Sequence, residues 1–280
     1  MFEAIKKIFP SSLRPICGEL SDPIQEIRLR SGAPPVLVKN GIEYRFMKPE
    51  ITVTPALLDD LLHAASGGSR YTVDDSVKSG YLTLPGGHRI GICGEAVMDR
   101  NQIVGFRYLS SVSIRIAKER KGFGIPLTQS TLIVGPPGSG KTTLLRDCVR
   151  ILSDELGFRV ALVDERGEIA ACCQGVPQMQ VGGHTDILTG MKKAEGALMV
   201  LKTMNPHWIA VDEITSPADT AALMQVNHCG VKLLSTVHAY GTEDLLEKKM
   251  YRDLLENNCF EKLLLLKPGH DYHVVEVSSL

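Results

Sequence analysis

One stretch constrains this chain more than any other: Thr131-Leu132-Ile133-Val134-Gly135-Pro136-Pro137-Gly138-Ser139-Gly140-Lys141-Thr142-Thr143. An apolar run suited to a buried strand leads into a glycine-rich turn. Beyond it, Leu144 to Leu152 repeats apolar residues at helical spacing, with Gly157 as the stop. Gly135, Gly140, Lys141 and Thr142 stand at the G-x-x-x-x-G-K-T spacing, and strand, turn and helix are the context that spacing requires. Gly138 and Gly140 let successive N–H groups converge on an anion, and the helix start adds partial positive charge. Lys141 has the reach for β- and γ-phosphates, and the Thr142 hydroxyl is a ligand for Mg²⁺. The loop from Gly135 through Pro136, Pro137, Gly138, Ser139, Gly140, Lys141 and Thr142 to Thr143 is therefore the expected cradle for ATP with Mg²⁺.

The other acidic residues that such a cradle needs also lie at strand ends. Trp208-Ile209-Ala210-Val211 is an apolar strand closed by Asp212-Glu213. In a P-loop sheet an Asp at this place holds Mg²⁺, and the following Glu orients or deprotonates the attacking water. A second strand, Arg159 to Val163, ends in Asp164-Glu165-Arg166-Gly167-Glu168. Ligands gather at the carboxyl ends of such strands, so Asp164 joins Thr142 and Asp212 as an expected metal ligand, and Glu165 is a catalytic candidate. His238 closes a third strand, Leu233–Val237, where it can sense the terminal phosphate. Phosphoryl chemistry of this type is completed by an arginine brought from elsewhere, for which Arg89, Arg107 and Arg115 are the candidates.

Around these residues the chain reads as two domains. From Thr131 onward, apolar strands (159–164, 208–212, 232–237) alternate with helices near 193–204 and 217–228, the second capped by Ser216 with Pro217 in its first turn. That alternation predicts a parallel sheet covered on both faces. A helix over Glu243–Asn257 and a hairpin of Lys262–Leu266 with Tyr272–Val277 close the chain. Residues 1–117 mix short elements: an amphipathic helix over Phe2–Phe9, a strand over Ile24–Arg30, a hairpin turning at Asn40-Gly41, and a helix opened by Thr54-Pro55 and closed by Gly67-Gly68. Further strands are expected over 81–84, 88–93 and 112–116. The expected fold class is thus α/β, a parallel-sheet P-loop domain over 128–280 preceded by a smaller α+β domain over 1–117, with 118–127 as linker.

Composition excludes several classes. A net charge of −1 leaves no general electrostatic footprint for nucleic acid, and 5% aromatic content offers few stacking platforms. The seven cysteines include no C-x-x-C pair, which argues for reduced thiols and against disulfides or zinc. No apolar run has the length of a membrane span and the start lacks a signal peptide's pattern, so a cytoplasmic location is expected.

Taken together, Glu26-Ile27-Arg28-Leu29-Arg30-Ser31-Gly32-Ala33-Pro34-Pro35, the P-loop, Val163 to Ala170, Lys193-Ala194-Glu195-Gly196 with Met204-Asn205-Pro206 and Ile209 to Ile214, and Leu234-Ser235-Thr236-Val237-His238-Ala239 resemble the type II/type IV secretion ATPase superfamily, in its sporulation branch. The resemblance covers nearly the whole chain. It implies a RecA-like ATPase domain, Glu213 as the catalytic carboxylate, Asp212 linked to Mg²⁺, Glu165 and His238 along the γ-phosphate, and first-domain arginines closing on the nucleotide. It also implies a homohexamer working with membrane channel proteins during spore development, one domain swinging on the other about Lys118–Pro126. Rival readings are a RecA-like nucleic-acid motor, a nucleotide kinase for a small acceptor, and a slowly hydrolysing switch. No lid rich in arginine follows residue 142, which disfavours the kinase.

Overall fold

The structure, a computed structural model, describes residues 2–21, 23–47, 50–67, 80–100, 102–119, 121–267 and 271–280. Two compact units emerge: Met1–Lys118 with Cys173–Gln178, and Glu119–Cys172 with Met179–Leu280.

The first unit is a mixed α+β body. Helix α1 (Glu3–Ile8) and a 3₁₀ stretch (Ser11–Glu19) precede strands β1 (Ile24–Arg30), β2 (Val36–Lys39) and β3 (Ile42–Arg45). Helix α2 (Pro55–Ala65) is capped by Thr54, whose hydroxyl accepts from the Leu57 N–H at 3.2 Å. Gly67 lies just beyond it in the left-handed region; Gly68 falls outside the described residues. Strands β4 (Tyr81–Thr83), β5 (Arg89–Asp99) and β6 (Gln102–Arg115) complete an antiparallel sheet in the order β3-β2-β1-β6-β5-β4. Asn40 and Gly41 both take positive φ, the requirement of a tight two-residue hairpin turn. Ile5, Leu13, Ile16, Leu58, Leu61, Ile90 and Ile114 are wholly buried between helices and sheet.

Two features depart from the sequence expectation. Strand β6 begins ten residues before the expected Val112, pairing with β5 as a long hairpin. The hairpin's outer half is exposed on most of its residues, so no alternation of apolar and polar residues marks it as a strand. Residues 173–178 belong to the first unit, although the sequence reading assigned them to the second domain. They form a tight turn with Gln174 and Gly175 at positive φ, and the Gln178 side chain accepts from the Gly86 N–H at 2.7 Å.

The second unit is the parallel-sheet domain. In chain order it comprises β7 (Thr131–Gly135), α3 (Lys141–Arg150, continued by one π-turn over Ile151–Glu155), β8 (Val160–Asp164), β9 (Thr185–Thr189), α4 (Lys193–Thr203), β10 (Trp208–Val211), α5 (Pro217–His228), β11 (Lys232–His238), α6 (Thr242–Glu247), α7 (Lys249–Glu256), β12 (Lys262–Leu266) and β13 (Tyr272–Glu276). The strand order is β13-β12-β7-β11-β10-β8-β9, parallel except for the β13 edge. Every residue of β7, β8 and β10 is buried, as expected of strands covered on both faces. Strand β9 was not foreseen; its residues are only half-buried at the sheet edge. The helix expected over Glu243–Asn257 is two helices, broken where Lys248 turns extended. Among the described residues no helix is long and apolar enough to cross a membrane.

The stretch read as a linker is bonded into this unit. Gly122, Phe123 and Gly124 all donate their N–H groups to Asp147 Oδ2 at 2.8, 2.9 and 2.8 Å, and Arg150 Nε donates to Oδ1 at 2.8 Å. A Cβ on Gly124 would lie 2.7 Å from the Asp147 carbonyl carbon, so only glycine fits. Burial opposes charge on Asp147, but the N–H groups of Gly124, Phe123 and Gly122 together with Arg150 outweigh it and hold the carboxyl below its ordinary pKa. A depressed pKa stabilises the fold above the unfolded-state value, and that contribution is lost as pH falls through the folded value. Asp147→Ala strands three inward N–H groups. Its unfolding free energy should fall by about 3 kcal/mol at neutral pH, and a urea melt should show the deficit narrowing in acid.

Candidate nucleotide site

The cradle is built by local backbone geometry. Gly138 and Gly140 take φ of +73° and +97°, which side-chain-bearing residues adopt only with strain, and Gly140 is the residue from which α3 starts. A Cβ on Gly135 would stand 2.6 Å from the Ser139 hydroxyl. Lys141 is only 6% exposed. Its Nζ donates to the Gly135 and Pro136 carbonyls at 2.9 and 2.8 Å and lies 2.9 Å from His238 Nδ1. Burial pulls the Lys141 pKa down, while Glu213 and Asp212 oppose that shift. The parallel register of β7 with β11 sets His238 opposite Gly135, which is how two residues so distant in sequence meet.

At the end of β10, Asp212 Oδ1 accepts from Thr236 Oγ1 at 2.7 Å and from the Glu213 N–H at 3.0 Å. Its Oδ2 accepts from Thr142 Oγ1 at 3.2 Å. Glu213 has φ of +32°, a strained backbone for glutamate that is held by a second bond from its N–H to Thr236 Oγ1 at 2.9 Å. Glu213 Oε1 lies 3.1 Å from His238 Nε2. An ammonium has no lone pair, so Nδ1 accepts from Lys141 and Nε2 carries the hydrogen donated to Glu213. Lysine, imidazole and carboxylate thus form one continuous chain. Thr236 was missed in the sequence; in the β10–β11 register it stands one step past the Val211–Ser235 pair, beside Asp212.

Asp164, expected as a metal ligand, borders the cavity of this site and is also bonded into the turn that follows β8. It is 1% exposed, and its oxygens accept the N–H groups of Glu168, Ile169 and Ala170 at 2.9, 3.1 and 2.9 Å. Oδ2 takes two of these bonds and Oδ1 one, so Oδ1 keeps a lone pair while the carboxylate holds the turn after β8. Burial raises its pKa against the pull of those three donors, and the Asp212 charge adds to the rise. Arg146 on α3, also unforeseen, donates to the Ile169 and Glu168 carbonyls at 2.5 and 2.8 Å, bracing the same turn.

Glu165 and Arg166 reach the site as well. With Lys193 they line the cavity of about 300 Å³ that the P-loop, Asp212, Glu213, Thr236 and His238 enclose. Among the described residues no cluster of three or more His, Cys, Asp or Glu is arranged to hold a metal. Thr142 and Asp212 instead offer two neighbouring oxygens, and Mg²⁺ takes few protein ligands beside substrate phosphates and water. The donor set fits that ion. Arg89, Arg107 and Arg115 belong to the first unit. Arg89 lies over the Tyr81 ring at 3.6 Å, Arg107 Nε donates to Glu95 at 3.0 Å, and Arg115 stands between Glu26 and Arg89 in the sheet.

Comparison with known proteins agrees with this architecture. The family model described as sporulation stage III, protein AA matches residues 2–276. Stage III sporulation protein AA of Bacillus subtilis (strain 168) is 35% identical over 278 residues, covering 94% of this chain and 90% of that one. Among solved structures, the pilus retraction motor PilT with bound ADP is similar with a TM-score of 0.65 at 13% identity, over 94% of this chain and 80% of that one. The Legionella pneumophila ATPase DotB follows with 0.56 at 14%, over 90% and 75%. At such identities the structural likeness speaks for the fold alone, a parallel-sheet P-loop domain that follows a smaller N-terminal domain in the chain. The nearly end-to-end match in sequence goes further: this chain belongs to the sporulation stage III, protein AA family.

Proposed function

We propose that the protein is an Mg²⁺-dependent ATPase that powers a secretion-type channel during spore development. The observation that carries the reading is the unbroken chain from Lys141 through His238 to Glu213, with Asp212 and Thr142 bonded beside it. The N–H groups of Gly138 to Thr143 and the Lys141 ammonium bind the phosphates of ATP. Thr142 and Asp212 would hold Mg²⁺, with Asp164 as the third candidate ligand, and the ion would offset the negative charge of the phosphate oxygens. Glu213 orients and deprotonates the attacking water, and His238 keeps its carboxylate turned toward the cavity while following the terminal phosphate. Glu165 borders the same phosphate, and one of Arg89, Arg107 and Arg115 supplies the completing cation. A homohexamer docked on membrane channel proteins, on the cytoplasmic side, converts the turnover into movement between domains. The hinge for that movement belongs N-terminal to Gly122, since Gly122 to Gly124 are bonded to Asp147. Support for the motor assignment comes from family membership and from the fold shared with PilT and DotB.

The test is phosphate release by the purified full chain with Mg-ATP, alongside its mass with and without nucleotide. Release without any acceptor and a shift toward a ring are expected. Failure to retain ATP in the presence of magnesium overturns the reading, and turnover that requires single-stranded nucleic acid replaces it with a nucleic-acid motor.

A further inference from the structure

The cavity contains a cation that the reading above does not use. Lys193 is, with Lys141, one of two lysines lining it among the described residues, and it is 8% exposed. Its Nζ lies 3.2 Å from Glu165 Oε2, and its backbone N–H donates to the same oxygen at 3.3 Å.

Its position is set by a glycine one turn along the helix. A Cβ on Gly196 would lie 2.7 Å from Val163 Cγ1 and 3.2 Å from Leu188 Cδ2. Helix α4 therefore lies closer to β8 and β9 than any larger residue at that point allows. Residues three apart share a helix face, so Lys193 projects over the same strands, just where β8 runs out into Asp164-Glu165. Lys193-Ala194-Glu195-Gly196 thus brings an ammonium to a strand end beside Asp212 and Glu213.

An ion pair taken out of water is a poor anchor for a helix, since apolar contacts hold as well without the desolvation cost. The neighbouring Ala197 and Val200 already supply such contacts. A lysine bordering a phosphate-sized cavity, paired with one partly exposed carboxylate, is instead poised to change partners. In the strand order β7-β11-β10-β8, Lys193 stands beyond Asp212-Glu213 from the P-loop. A phosphate chain lying along that order, its inner groups on Gly138 to Thr142, would turn its outermost group toward Lys193.

We propose that Lys193 is a second phosphate-binding cation of this site, trading Glu165 for the terminal phosphate and so distinguishing ATP from ADP. The inference rests on the nucleotide-binding reading above and adds to it a residue that reports the third phosphate.

The experiment is equilibrium binding of Mg-ATPγS and Mg-ADP to the full chain, as wild type, Lys193→Met and Lys193→Arg. For Lys193→Met the dissociation constant for ATPγS should rise by about 10-fold or more, the size of one charge-assisted hydrogen bond, with ADP affinity kept within about 2-fold. Lys193→Arg should recover part of the ATPγS loss, because the cation is retained. Equal weakening of both nucleotides in Lys193→Met marks Lys193 as a helix anchor and overturns the proposal, as does no change in either. Unaltered ADP binding is also the control that the variant folds. A wild type that binds neither nucleotide overturns the nucleotide reading as well, so the two failures are told apart.

Discussion

Glu213→Gln should still bind Mg-ATP while turning it over about 10²- to 10⁴-fold more slowly, the usual contribution of a positioned general base. The substitution preserves shape. A glutamine oxygen can accept from His238 Nε2 as Glu213 Oε1 is placed to do at 3.1 Å. The strained backbone at φ +32° is held by bonds from its own N–H to Asp212 and Thr236, which the change leaves alone. What disappears is the capacity to take a proton from water. Single-turnover phosphate release beside equilibrium binding separates the two effects. Hydrolysis at the wild-type rate would remove Glu213 from the chemistry.

Lys141→Ala should weaken nucleotide binding itself. Two charge-assisted contacts to phosphate are lost, together about 3 kcal/mol or more, hence about 100-fold or more in affinity. ADP and ATP should both suffer, because this lysine serves the inner phosphate as well as the outer. That sets it apart from Lys193, whose loss is expected to be confined to the triphosphate. The variant also deprives His238 Nδ1 of its donor at 2.9 Å, so the imidazole is freer to change tautomer and loosen its hold on Glu213. Titration with a fluorescent ADP analogue, with circular dichroism as the check on folding, measures the first effect. Affinity equal to wild type would refute the phosphate role.

How much was legible in the sequence follows from how far each interaction reaches along the chain. The P-loop was readable because its geometry is local: Gly138 and Gly140 adopt conformations reserved for glycine within a few residues of the lysine they serve. Asp212 and Glu213 were readable because a buried strand announces its own end. Asp164 shows the limit, since the same signal gave no hint that this carboxylate also accepts the N–H groups of the turn that follows. The glycine-containing, charged stretch before Pro126 has the composition of a linker, and only Asp147 on a later helix reveals that it is bound down.

By itself the sequence determined the buried strands of the second domain, the helices at 193–204 and 217–228, the glycine turn and the acidic strand ends, but not the edge strand β9, because periodicity and glycine placement act over one or two turns of chain. The tertiary structure alone decided which side chains meet: His238 between Lys141 and Glu213, Thr236 against Asp212, Lys193 over the end of β8. Those meetings depend on parallel strand registers and on the close helix approach permitted at Gly196. Such contacts join residues tens of positions apart, and they come into being only when the sheet closes.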